Sequence, residues 1–165
     1  ITFESAEGIG TTFVIRVPFR IDTDRESKAE TEAKTEASIR GLHILLAEDN
    51  ELNMEIAEFM LQNEGAVVKK TWNGQEAVEI FEKSRPDEFD VILMDIMMPV
   101  MNGYEAAKMI RSMDREDAKT IPIIAMTANA FTEDRIKAKE AGMDEHISKP
   151  IDMKLLVKII HELVY

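Results

Sequence analysis

The sequence has no cysteine among its 165 residues. Disulfide bonds and zinc sites built on cysteine are therefore excluded, and the composition fits a reducing compartment. No stretch approaches the ~20 consecutive apolar residues of a membrane-spanning helix, and no signal-peptide pattern opens the chain. We therefore expect no membrane contact and take the cytoplasm as the default location. The chain begins at Ile1 rather than at methionine, which is typical of a fragment or a processed product.

Basic side chains are scarce beside acidic ones. The chain has 20 Lys and Arg residues against 32 Asp and Glu residues, and its net charge is −12. Phosphate backbones would repel such a chain, so we do not expect it to bind nucleic acid. Magnesium or a partner with a basic face suits the charge better, although a role in solubility would explain it equally well.

Residues 1–20 have the pattern of a β-hairpin. A short strand from Ile1 to Glu4 leads through a turn that contains glycine into a second strand from Thr11 to Phe19, in which apolar residues recur at every second position. Two strands alone are marginally stable in water. This segment is therefore interpreted as part of a larger sheet.

Residues 21–40 mix both charge signs and have no apolar periodicity, which predicts a flexible linker. From residue 41 onward, apolar strand patterns alternate with amphipathic helix patterns. The predicted strands are Leu42–Ala47, Ala66–Thr71, Asp90–Met94, Ile121–Met126 and Met143–Ser148, and the predicted helices are 51–64, 74–84, 103–114, 132–141 and 152–164. This order predicts an α/β fold with a parallel five-stranded sheet that helices cover on both faces.

Polar residues stand where the predicted strands end. Glu48 and Asp49 follow the first strand, Asp95 the third, Thr127 the fourth and Lys149 the fifth. Ligands of open parallel sheets bind at this carboxyl edge. Three converging carboxylates need a cation or raised pKa values, and magnesium fits the first alternative because it prefers oxygen ligands. A lysine and a hydroxyl beside them suit a phosphoryl group, with Asp95 as the nucleophile.

Each of these residues also has a simpler interpretation. Glu48 and Asp49 could cap the first helix, Asp95 could bond backbone amides in its loop, Thr127 could be an ordinary strand-end hydroxyl, and Lys149 could be a solvated loop residue. The functional interpretation is favoured because all five residues lie at carboxyl ends of predicted strands and none lies at an amino end.

Four motifs surround these strand ends: LLAEDNELNMEIA, MDIMMPVMNG, AMTANA and HISKPID. With these motifs, residues 41–165 resemble the receiver domain of two-component signalling proteins. The resemblance implies a flavodoxin-like, doubly wound sheet with strand order 2-1-3-4-5. It also implies that Glu48, Asp49, Asp95 and the carbonyl of Met97 organise Mg²⁺, and that Asp95 takes a phosphoryl group from a phosphohistidine.

The resemblance assigns three further roles. Lys149 would bind a phosphate oxygen, and the Lys149–Pro150 peptide bond would be cis. Thr127 would move towards the phosphate as a switch, and His146 occupies the family's aromatic switch position, where tyrosine or phenylalanine is common. Because Met97 has no polar group to orient a hydrolytic water, although Asn129 has one, we expect slow self-dephosphorylation.

The segment ESAEGIGTTFVIRVPF resembles the final hairpin of a histidine-kinase ATP-binding domain. It implies a hybrid sensor histidine kinase in which residues 1–20 end the kinase, 21–40 form the linker and 41–165 form the receiver. The nucleotide-binding elements would lie upstream, so we expect this chain not to bind ATP and to catalyse only its own aspartyl phosphorylation and dephosphorylation.

The leading hypothesis is a phosphorelay acceptor. Its partners would be the phosphohistidine of a kinase dimerisation domain and a histidine phosphotransfer protein, or it would control its own kinase. The alternative is a pseudo-receiver that acts only as an interaction module. A hydrolase or cofactor binder of the same fold is a third hypothesis, which the absence of a glycine-rich phosphate loop disfavours.

Overall fold

The computed structural model describes residues 2–6, 8, 10–16, 37–128 and 132–165. The predicted linker lies outside these residues except for residues 37–40. The chain divides into two compact units, Ile1–Glu36 and Ala37–Tyr165. Within the described residues, no helix has the length and apolar character needed to cross a membrane.

The first unit contains the predicted hairpin. Strands β1 (Thr2–Ala6) and β2 (Gly10–Val14) pair antiparallel, with Phe3 opposite Phe13. Every residue of β1 is exposed, including the Phe3 side chain at 67%. The second strand ends earlier than predicted, and residues 17–20 lie outside the described part of the chain. Val14 and Ile15 are exposed as well. That this hairpin is part of a larger sheet stays a prediction.

The second unit is built on five parallel strands. Their order across the sheet is β4-β3-β5-β6-β7, which is 2-1-3-4-5 when this sheet is counted alone and confirms the predicted topology. The strands are β3 (His43–Ala47), β4 (Val67–Thr71), β5 (Val91–Asp95), β6 (Ile123–Thr127) and β7 (Glu145–Ser148).

Helices cover both faces of this sheet. They are α1 (Glu51–Asn63), α2 (Gly74–Lys83), α3 (Gly103–Arg111), α4 (Glu116–Thr120), α5 (Thr132–Glu140) and α6 (Met153–Val164). Helices α1 and α6 pack on one side with alternate strand residues such as Ile44 and Leu46, and the other helices pack on the opposite side with Leu45 and Ala47. Both faces of the central strands are buried, so their sequences are continuous apolar runs.

Short polar residues begin most of these helices. Asn50, Asn73 and Asn102 cap α1, α2 and α3, and the Asp152 carboxylate accepts hydrogen bonds from the amides of Lys154 and Leu155 at the start of α6. Gly65 and Gly142 follow α1 and α5 with φ of +86° and +87°, the conformation expected of helix-ending glycines. The Lys149–Pro150 peptide bond is cis.

Two features of the second unit were not predicted. Helix α4 lies in a stretch interpreted as a connection, and the packed unit begins at Ala37, before the predicted boundary at residue 41. Ile39 is fully buried in the core on the α1 side of the sheet. The end of the predicted linker is therefore part of the fold.

Candidate phosphoacceptor and metal site

Three carboxylates meet at the carboxyl edge of the sheet. Glu48 and Asp49 follow β3, Asp95 ends the neighbouring strand β5, and one oxygen of each lies within 4.8 Å of the others. Glu48 and Asp95 are buried, with 2% and 5% of their surface exposed, whereas Asp49 is exposed. Three like charges this close, two of them buried, require a compensating cation.

Part of that compensation comes from Lys149, which follows β7. Its Nζ donates to Glu48 Oε2 at 2.5 Å and to Asp95 Oδ2 at 2.7 Å. Its backbone amide donates to the carbonyl of Thr127 at 2.8 Å, which fixes the loop beside the end of β6. The ammonium therefore forms ion pairs with two of the three carboxylates, those of Glu48 and Asp95, and not with that of Asp49.

Burial and hydrogen bonding shift the pKa values of Asp95 and Lys149. Desolvation raises the pKa of Asp95 above its ordinary value, and the hydrogen bond and charge of Lys149 only partly oppose the rise. Burial acts to lower the pKa of the Lys149 ammonium, but its hydrogen bonds to Asp95 and Glu48 outweigh that effect, so its net pKa is raised. Lys149 therefore stays protonated at neutral pH and holds Asp95 in place.

Backbone and amide donors orient the carboxylates further. The amide of Met97 donates to Asp95 Oδ1 at 3.1 Å. Asp95 therefore also bonds a backbone amide of its own loop, which was the simpler interpretation of this residue. Asn53 Nδ2 donates to Glu48 Oε1 at 3.0 Å from the first turn of α1, and the Asn50 amide approaches the same oxygen at 3.4 Å. The sequence analysis missed Asn53; its position five residues after Glu48, on the helix that follows, was the available signal.

The loop after Asp95 closes tightly on the strand. The amide of Gly103 donates to the carbonyl of Ile96 at 3.0 Å, and α3 begins there. A Cβ atom at position 103 would approach the carbonyl oxygen of Asp95 more closely than real Cβ atoms approach any neighbour. Glycine is therefore required for this close contact between α3 and the end of β5.

We expect Gly103→Ala to lower the stability of the domain and to displace Asp95, because the added methyl group pushes on backbone and not on a flexible side chain. The cost of such overpacking is about 1–3 kcal/mol. Thermal unfolding should show a lower Tm than the wild type, and phosphoryl uptake from acetyl phosphate should slow. An unchanged Tm would contradict the close approach.

Two further predicted site residues, Thr127 and His146, lie on the neighbouring strands β6 and β7. Thr127 ends β6, is buried, and is in register with Ser148 of β7. His146 pairs with Ala125 in the same sheet, and its Nδ1 lies 2.8 Å from Glu145 Oε1. Asn129 lies outside the described residues, so slow self-dephosphorylation stays a prediction, as do the switch roles of Thr127 and His146.

Comparison with known proteins identifies the family. The family model described as the response regulator receiver domain matches residues 44–161. The chain belongs to this family. Hybrid signal transduction histidine kinase M of Dictyostelium discoideum is 43% identical over 123 residues, which cover 74% of this chain and 5% of that protein. The chain spans only about a tenth of the length of the curated histidine kinases it matches.

Solved receiver domains share the fold of the second unit. The receiver domain of sensor histidine kinase PA1611 from Pseudomonas aeruginosa is 39% identical, with a TM-score of 0.68 over 75% of this chain and 98% of its own, and holds a magnesium ion in its active-site cleft. The receiver domain of Ssk1 from Saccharomyces cerevisiae, solved with the histidine phosphotransfer protein Ypd1, is 31% identical, with a TM-score of 0.69 over 76% of this chain and 90% of that one. The chain is thus a two-component receiver domain preceded by a β-hairpin.

Proposed function

We propose that this receiver domain takes a phosphoryl group from a phosphohistidine onto Asp95 in a reaction that depends on Mg²⁺. The group then passes to a histidine phosphotransfer protein, or the phosphorylated domain controls an attached kinase. The observation that carries the proposal is the Asp95 carboxylate, held by Lys149 at the strand ends beside two further carboxylates.

The donor set suits magnesium. Glu48, Asp49 and Asp95 bring three carboxylates together, and Lys149 supplies only one positive charge against them. Hard oxygen donors in this number are what Mg²⁺ prefers, and the carbonyl of Met97 is a fourth candidate. Bound there, Mg²⁺ would neutralise charge on the oxygens of the phosphoryl group.

The side chains of the domain would do the remaining work. An Asp95 oxygen attacks the phosphorus, a P–O bond forms, and the P–N bond to the histidine ring breaks with its electron pair leaving on the ring nitrogen. The Lys149 ammonium turns from Asp95 to the oxygens of the transferred group. Thr127, at the end of the adjoining strand β6, is the hydroxyl that would then move towards the phosphate.

The wider assignment is also a proposal. We propose that residues 1–20 end the ATP-binding domain of a hybrid sensor histidine kinase and that residues 21–36 form its linker. We also propose that this chain lies in the cytoplasm, either within a cytoplasmic kinase or as the cytoplasmic portion of an inner-membrane sensor kinase. The relatives that are histidine kinases, each far longer than this chain, support that proposal. The pseudo-receiver alternative has less support because Glu48, Asp49, Asp95, Thr127 and Lys149 are all present.

The deciding experiment uses acetyl phosphate and Mg²⁺ with measurement of intact mass. The wild type should gain one phosphoryl group, and Asp95→Asn should gain none. Asp114→Asn, a matched change at an exposed aspartate outside the site, should gain one. No gain in the wild type would leave the interaction module as the better hypothesis, and a gain in Asp95→Asn would assign the group elsewhere.

Asp49→Asn is expected to raise the Mg²⁺ concentration needed for half-maximal phosphoryl uptake by ~10-fold or more, since Asp49 is the one carboxylate of the three that Lys149 does not pair. A magnesium titration of the uptake rate measures this change. Thermal unfolding without magnesium should be nearly unchanged because Asp49 is exposed. A titration that matches the wild type would remove Asp49 from the metal site.

A further inference from the structure

The most exposed methionine of the chain lies two residues after Asp95. The side chain of Met97 is 78% exposed. All eleven methionines lie within the described residues, and among them only Met109 is exposed as well, at 42%. In the same loop Met98 is buried and Met101 packs against the core, although all three methionines of this loop were expected to be exposed. Met97 is therefore the thioether that a reagent in solution meets first.

The backbone of Met97 is held against the acceptor carboxylate. Its amide nitrogen lies 3.1 Å from Asp95 Oδ1, to which it donates a hydrogen bond. A methionine side chain is unbranched and has three rotatable bonds, so the sulfur of an exposed methionine moves freely over its surroundings. The sulfur of Met97 is therefore within reach of a group carried by Asp95.

Oxidation would change what this side chain does. A thioether accepts hydrogen bonds weakly, whereas a sulfoxide carries a polar oxygen. In the reaction with hydrogen peroxide, a lone pair of the sulfur attacks one peroxide oxygen, an S–O bond forms and the O–O bond breaks. The proton of the transferred oxygen passes to the leaving hydroxide, which departs as water. The sulfur is oxidised and the peroxide is reduced, and the chain has no cysteine thiol that competes for the peroxide.

We propose that Met97 is an oxidation site through which peroxide shortens the lifetime of phosphorylated Asp95. The inference rests on the proposed function. The sulfoxide oxygen accepts a hydrogen bond from a water molecule and orients it towards the phosphorus. The water oxygen forms a bond to phosphorus, and the P–O bond to Asp95 breaks with its electron pair returning to the carboxylate. One proton of the water stays on the phosphate and the other passes to solvent.

This modification is compatible with an intact and reversible domain. Oxidation of a buried methionine disrupts a core, but at Met97 the added oxygen stays in water. Methionine sulfoxide reductases return the sulfoxide to the thioether. The lifetime of the phosphoryl group therefore follows the balance between peroxide and these reductases.

The test uses the full chain with and without hydrogen peroxide treatment. Peptide mass mapping should find the sulfoxide at Met97 before any other methionine, and the Tm should change by less than about 2 °C. Both samples are then phosphorylated with acetyl phosphate and Mg²⁺, the donor is removed, and the loss of the group is followed by intact mass. The half-life should be at least ~5-fold shorter in the oxidised sample. Treatment with methionine sulfoxide reductases should restore it.

Three variants make this result specific to Met97. Met97→Leu has no thioether at this position, so its half-life should not respond to peroxide. Met97→Gln carries a polar amide at all times and should have a shorter half-life than Met97→Leu without any peroxide. Met109→Leu makes the matched change at the other exposed methionine, on α3, and should respond to peroxide as the wild type does.

Several results would overturn the inference. These are preferential oxidation of another methionine, a Met97 sulfoxide with an unchanged or longer half-life, or an equal peroxide response in Met97→Leu. Loss of phosphoryl uptake in the oxidised sample alone would also overturn it, because the sulfoxide would then block the acceptor. In each of these cases the untreated wild type still gains a phosphoryl group and the proposed function stands. No gain in either sample would refute the proposed function and the inference together.

Discussion

Replacing Lys149 by alanine is expected to slow phosphoryl uptake from acetyl phosphate by ~100-fold or more, the usual effect of removing one preorganised donor to a developing charge. The ammonium bridges Glu48 and Asp95 across 2.5 and 2.7 Å and is the cation that would meet the incoming phosphoryl oxygens. Its loss removes the charge and hydrogen bond that oppose the raised pKa of Asp95, so more of the carboxyl is protonated and the nucleophile is weakened. The initial rate of mass gain measures the effect.

Two further lysine variants make this result specific. Lys149→Arg keeps the charge but not the compact ammonium, so its rate should lie between those of the wild type and Lys149→Ala. Lys154→Ala, which removes an exposed lysine on α6, should leave the rate unchanged. Uptake by Lys149→Ala within threefold of the wild type would show that Lys149 takes no part in the reaction.

Arg115→Ala is expected to lower the free energy of unfolding by about 3 kcal/mol, the cost of breaking a largely buried ion pair. The guanidinium donates to both Asp117 oxygens at 2.7 and 2.5 Å. It also donates to the carbonyl of Phe81 in the last turn of α2 at 2.6 Å and to that of Arg85, after α2, at 3.1 Å. It also lies 4.4 Å from the centre of the Phe81 ring. One side chain thus ties α4 to the end of α2.

Thermal unfolding checks the Arg115 prediction. The Tm of Arg115→Ala should fall by roughly 10 °C, since 1 kcal/mol corresponds to a few degrees in a domain of this size. The control is Lys119→Ala, which breaks an exposed ion pair of α4 with Glu116 and should change the Tm by less than about 2 °C. Equal changes in Tm for the two variants would mean that the contacts of Arg115 stabilise the domain no more than an exposed ion pair does.

The same pair predicts a pH dependence. The hydrogen bond from Arg115 lowers the pKa of Asp117 from 3.8 to about 2. A carboxyl group whose pKa is lower in the folded state stabilises the fold above its unfolded pKa, and that stability is lost as the pH falls. The Tm difference between the wild type and Asp117→Asn should therefore be constant near pH 7 and shrink between pH 4 and 2. A difference that did not shrink would exclude the carboxylate charge as its cause.

The sequence predicted the five-stranded sheet and the position of the site at its carboxyl edge because both depend on local patterns. Five strand patterns, four of them with a polar site residue at their carboxyl end, are visible without tertiary information, and the strand positions agree with the structure to within two residues at each end. The short helix α4 could not be predicted in this way. It has five residues and no side-chain hydrogen bond at its N-cap, and Arg115 links it to carbonyls 34 and 30 positions away.

Other features depended on tertiary packing in the same way. Ile39 is a single apolar residue in a charged stretch, and only the folded core gives it a buried position. Asn53 resembles any polar residue on a helix until the strand end places Glu48 beside it. The positive φ of Val100, 69°, was likewise not predicted, since a β-branched residue such as valine rarely adopts that conformation.

The most direct test of the account is to locate the phosphoryl group. After incubation with acetyl phosphate and Mg²⁺, reduction with borohydride converts a phosphorylated aspartate to homoserine, and peptide mass mapping then finds the altered residue. We expect the conversion at Asp95 alone. Modification at Glu48, Asp49 or a histidine instead, or no modification of a folded protein, would contradict the assignment of Asp95 as the phosphoacceptor.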